Sequence, residues 1–66
     1  MLYDKMSTNG LRALHGGITR ALADDDAQPP HRRVYGVRKY PDWRDQADRI
    51  EAELTARREA FAPVRW

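Results

Sequence analysis

Every local signal agrees over the stretch from Pro41 to Glu59, PDWRDQADRIEAELTARRE, and it constrains the rest of the chain most. Apolar residues recur at Trp43, Ala47, Ile50 and Leu54, an i, i+4, i+7, i+11 spacing that draws one stripe along a helix. Asp42 is placed to cap that helix, and Asp45 three residues on makes a variant of the capping box. Pro41 precedes it, where a missing N–H costs little. Acids crowd the first half and Arg57 and Arg58 close the last turn, so charge complements the macrodipole at both ends. Asp45 with Arg49, and Glu53 with Arg57, are i,i+4 pairs in the favourable acid-first order. The pattern predicts a helix over 42–59 whose stripe another part of the chain must cover.

Little chain is available to do so. The sequence has 66 residues and no cysteine. A domain of this size buries only about 60% of the surface its unfolded chain exposes, and small domains recover stability through disulfides, a metal or oligomerisation. Without cysteine, disulfides and thiolate metal sites are both closed, and two histidines are too few for a structural metal centre. Oligomerisation is the device left, and no cofactor is expected. No apolar run reaches the roughly 18 residues of a membrane span. The opening MLYDKMSTNG lacks the apolar core of a signal peptide, so the expectation is a cytoplasmic protein.

Taken in order, residues 1–6 read as a loose lead. A first helix is predicted over 7–23, capped by Ser7, Thr8 or Asn9, with Leu11, Leu14, Ile18 and Leu22 on one face. Gly16 and Gly17 lie inside it, each costing about 0.8–1 kcal/mol against alanine, so tertiary contact must hold this helix. Asp24, Asp25 and Asp26 oppose the dipole at its C-terminal end, which predicts a stop near Ala23 or Asp24. Residues 25–31 form a linker stiffened by Pro29 and Pro30.

Val34, Tyr35 and Val37 then favour a strand over 33–38, with Gly36 marking a bulge or a close backbone approach. After the second helix, Phe61, Val64 and Trp66 suggest a second strand over 60–66, confined to an edge by Pro63; the competing reading continues the helix to bury Phe61. Residues 33–66 then make a strand–helix–strand unit, long enough for the roughly 30 residues such a unit needs. The expected fold is therefore a single small α+β domain of order α-β-α-β, with parallel strands and a right-handed crossover. A two-helix hairpin with extended arms is the alternative.

Candidate chemistry is sparse. His15 falls on the apolar side of the first helix and reads as a boundary histidine hydrogen-bonded once rather than a ligand. His31 beside the three aspartates does not reproduce the spaced ligands of a calcium loop. Ser7 is the sole serine and has no nucleophile-elbow context, and the glycine-rich phosphate patterns are missing. No enzymatic activity is expected.

The sharper possibility is HRRVYGVRKY, which interleaves Arg32, Arg33, Arg38 and Lys39 with Tyr35 and Tyr40. Such residues hold phosphates and stack on bases. Against it, net charge is only +2, from 12 basic and 10 acidic residues, and acids on the following helix offset the local field. Charged flanks also serve simply to discourage edge pairing of a strand.

YGVRKYPDW and AFAPVRW resemble segments of short, uncharacterised bacterial proteins of unknown function, some of them borne on prophages. The resemblance covers roughly the second half of the chain. It implies a bacterial, cytoplasmic protein and no particular activity or site.

These residues together favour a protein-interaction or assembly module acting as a homodimer, with an unidentified protein partner; nucleic-acid binding through 31–40 is the alternative. Leu14, Ile18, Tyr35, Phe61, Val64 and Trp66 are the expected dimer contacts. The stiff AQPPH linker resists a tight reversal, which favours passing the first helix to the partner, a domain swap.

Overall fold

Ser7 starts the first helix. Its extended backbone (φ −66°, ψ 154°) lets the hydroxyl oxygen accept the Gly10 N–H at 3.0 Å, which satisfies one of the donors a helix start leaves unpaired. In the computed structural model, which describes residues 2–66, this helix is α1, Thr8–Asp26, and a second, α2, spans Pro41–Ala56. A 3₁₀ turn at Leu2–Lys5 precedes α1 and another at Pro30–Arg32 lies in the connection. The helices are antiparallel: Arg57 donates to the Thr8 hydroxyl at 3.2 Å, and His15 meets Glu51 at 2.8 Å.

The core lies along the seam. Leu11, Ile18, Ala21 and Leu22 from α1 pack on Ala47, Ile50 and Leu54 from α2, with Val37 from the connection and Val64 from the tail. Tyr3, Met6, Trp43, Phe61 and Trp66 close its margins.

The α+β expectation is overturned: the described residues contain two helices and no strand, a helical hairpin. Residues 33–38 are bends and turns. Gly36 takes a left-handed φ of 69°, and its carbonyl accepts both the Lys39 and Tyr40 N–H groups at 3.0 Å. The N–H groups of Tyr35 and Val37 donate to the carboxylate of Asp25, at 3.1 and 2.9 Å, so two donors that a ladder would use are taken. A β-prone segment becomes a strand only beside another. Here a buried carboxylate takes that place.

The segment 60–66 is extended but unpaired. Side chains hold its main chain: Arg12 donates to the Ala60 carbonyl at 2.8 Å, Val64 N–H to Glu51 at 2.9 Å, and Arg38 to the Trp66 carbonyl at 2.6 Å. Neither the strand nor the continued helix forms, and with them goes the strand–helix–strand unit over 33–66.

Helix limits differ from expectation for identifiable reasons. Pro41 is itself the first helical residue of α2, with Tyr40 outside it, so Asp42 falls in the first turn instead of capping. At the far end Glu59 N–H reaches the Leu54 carbonyl at 2.9 Å and Arg58 N–H the Thr55 carbonyl at 3.0 Å. With Arg58 at φ 59°, this is a Schellman closure. It stops α2 at Ala56, short of Glu59, and turns the tail back along the helices.

Helix α1 runs past the expected stop because Asp25 and Asp26 are partnered from the connection. The lead, of which Met1 lies outside the described residues, is docked at Tyr3 and Asp4, whose main-chain carbonyls accept from Arg57 at 3.3 and 3.2 Å.

Candidate functional site

The seam between the helices has two sides, each with a groove beside α1. On the first side the tail crosses the seam, fixed in sequence by Arg12, Glu51 and Arg38 as above. Phe61 sets its ring edge-on to His15, centroids 5.7 Å apart. His15 is buried and points Nε2 at Glu51 Oε2, the same oxygen that accepts Val64 N–H. One carboxylate thus ties both α1 and the tail to α2. Between the tail and α1 a groove of about 730 Å³ remains, floored by Leu22, Leu54, Phe61 and Val64 and opened by Gly16, with Arg20 and Arg65 on its rim.

On the opposite side a second groove lies open beside α1. Ala13, Leu14, Gly17, Ile18 and Ala21 form one wall of a groove of about 340 Å³, and Tyr35, Trp43 and Gln46 the other. Tyr35 and Trp43 stack edge to face with centroids 6.1 Å apart. Leu14, placed by its spacing on the apolar face of α1, is 44% exposed here. It occupies the outer edge of the apolar stripe, while His15 takes the inner position.

The two glycines divide between these grooves, Gly16 on the tail side and Gly17 on the open side. A Cβ built on either meets nothing within 4 Å. Internal packing therefore gives no reason for either, yet each costs the helix about 0.8–1 kcal/mol against alanine.

The acidic knot is a clamp. Asp25 is only 2% exposed. Burial pushes its carboxyl up, but the N–H groups of Val37, Tyr35 and Gly36, with Arg33 nearby, outweigh burial and hold it below the ordinary 3.8. Asp26 grips Arg38 with both oxygens, at 2.8 and 2.9 Å. That hydrogen-bonded pair lowers the Asp26 carboxyl and raises the Arg38 guanidinium. The run of aspartates carried no sign of this in sequence, because their partners lie 10 and more positions on.

The six residues of the basic–aromatic segment make different contacts. Arg38 is spent on Asp26 and Trp66, and Arg33 donates to the Gln28 carbonyl at 3.2 Å. Tyr35 belongs to the open groove. Lys39 lies 5.4 Å from the centroid of the exposed Tyr40 ring, and Arg32 is exposed. Val34, a strand residue by expectation, is 86% exposed.

The expected dimer contacts also separate: Leu14, Ile18 and Tyr35 border the open groove, while Phe61 and Val64 border the tail-side groove and Trp66 stacks under Arg44. Within the chain α1 packs on α2. Among the described residues no group of acids and histidines is arranged to hold a metal, and no helix is long and apolar enough to cross a membrane. No protein-family model, curated protein or solved structure matches the chain.

Proposed function

We propose that this protein is an interaction module that assembles as a homodimer, two copies packing through the open side of the helix seam. The supporting observation is Gly17: a helix-weakening residue with empty space over it, flanked by the protruding Leu14 and Tyr35. A surface carrying both a knob and a hole complements itself across a two-fold axis, as an isologous interface requires. Among the described residues Arg20 is the one ionic residue lining this face, so little charge opposes the approach of a second copy. The chain also exposes 4947 Å², against about 4,300 Å² for a compact monomer of 7.7 kDa. Its extents of 38 × 20 × 16 Å make it elongated.

Light scattering coupled to size exclusion tests this across a concentration series. The parent is expected at twice the 7.7 kDa of the chain, with a melting temperature that rises with concentration. Gly17→Leu fills the hole from within a helix that leucine favours, and is expected to yield a folded monomer. A parent that stays at 7.7 kDa with a concentration-independent melt refutes the dimer.

A further inference from the structure

The tail-side groove has the features of a peptide site, and its charge identifies the peptide. Its floor is apolar, from Leu22, Phe61 and Val64, and Gly16 keeps it open where any other side chain would enter it. Its ionic residues are not equivalent. Arg12 is paired with Glu59 at 3.2 Å and Asp26 with Arg38 at 2.8 Å. Arg20 and Arg65 stand on the rim without an ion pair or hydrogen bond among the described residues. The charge left over is positive and borders an apolar trough.

One wall is itself unfinished. The tail is extended, yet among the described residues only Val64 N–H and the carbonyls of Ala60 and Trp66 find protein partners. The N–H groups of Ala62 and Arg65 and the carbonyl of Phe61 have none. Unpaired main-chain groups along an extended segment are a template on which a second extended chain adds.

We infer that this groove binds an extended acidic peptide of a partner protein, its apolar side chains seated on Leu22, Phe61 and Val64 and its carboxylates held by Arg20 and Arg65. Main-chain pairing with the tail distinguishes a peptide from a small amphiphilic carboxylate, which would use the floor and the arginines but leave the tail unpaired. A volume of about 730 Å³ lies in the range that seats a ligand's anchoring groups. This extends the interaction-module reading but does not depend on the dimer, because Gly16 and Arg65 border the tail-side groove alone.

The test is selection of a random dodecapeptide library on the full chain, followed by polarisation measurements with the fluorescein-labelled winners. Enrichment of peptides that combine Glu or Asp with Leu, Ile or Phe is expected, with affinity that weakens as salt rises. Arg65→Glu should weaken the winners about 10–100-fold, the range for loss of a hydrogen bond to a charged group. Gly16→Leu should abolish binding in a chain whose helix content is unchanged or higher. Gly17→Leu should leave binding intact even where it disrupts the dimer, which separates failure of this site from failure of the dimer. Overturning results are the absence of any enriched acidic peptide, retention of affinity in Gly16→Leu, or equal binding by a medium-chain fatty acid that competes with the peptide.

Discussion

Truncating Leu54 to alanine tests the packing directly. Leu54 is fully buried, enclosed between α1 residues and the returning tail. The change removes three carbons, which at about 0.8 kcal/mol each is a transfer loss near 2.4 kcal/mol. The void adds to this, since a core relaxes only partly, and leucine-to-alanine losses run from about 2 to 5 kcal/mol. Leu54 also borders the tail-side groove, where the tail can settle inward, so a loss of about 2.5–4 kcal/mol is expected.

Alanine is the better helix former, so none of the loss comes from helix propensity, and the Leu54 carbonyl that closes the helix end is retained. A chain of this length holds only about 3–10 kcal/mol in total. At about 4–8 °C per kcal/mol the melting temperature should fall by roughly 10–30 °C. Thermal and urea unfolding followed by far-ultraviolet circular dichroism measure both quantities. Leu14→Ala, on the open side, is the control and at low concentration should cost under about 1 kcal/mol. A Leu54→Ala melt within about 5 °C of the parent, or equal losses from both variants, would refute the stated core.

Two further outcomes follow from the clamp and the turn. Asp25 and Asp26 are held below the ordinary 3.8 in the folded chain, so the unfolded chain protonates first on acidification. Their stabilisation is complete well above pH 3.8 and is lost as pH falls through the lower folded values. Asp25→Asn replaces one acceptor oxygen with a donor facing an N–H, so it should be less stable than the parent at neutral pH and converge on it under strong acid; an undiminished gap at low pH would count against the clamp. Arg58 holds a left-handed backbone that costs an ordinary residue about 1–2 kcal/mol, and the exposed Arg58→Gly should raise stability by about 0.5–1 kcal/mol after the glycine's greater unfolded-state entropy. A lower melting temperature would show that the Arg58 side chain contributes more than its backbone costs.

The sequence by itself determined what depends on neighbours within one or two turns. The stripe Ala47, Ile50 and Leu54, the Ser7 cap and the pairs Asp45–Arg49 and Glu53–Arg57 are all present as spacing and residue type implied. Helical periodicity and capping are satisfied inside a short window, so they need no knowledge of the rest of the chain. Leu14 marks the limit of local pattern: its spacing places it on the stripe, but how wide a stripe is covered depends on the facing helix.

What only the tertiary structure decided are the partners of groups whose needs are met at long range. Val34, Tyr35 and Val37 have strand propensity, but a strand requires a ladder, and Asp25 supplied the acceptors from the end of α1. The same carboxylate, read locally, argues against the helix that contains it; two main-chain donors from the connection neutralise that objection and let the last turn form. Phe61 to Trp66 suggested a strand or more helix, whereas a Schellman turn at a non-glycine residue sent the segment back across the seam. Arg12, Glu51 and Arg38 then held it there. Apart from that local turn, each outcome rests on a main-chain group satisfied by a side chain at least 10 positions away, a pairing that local pattern does not encode.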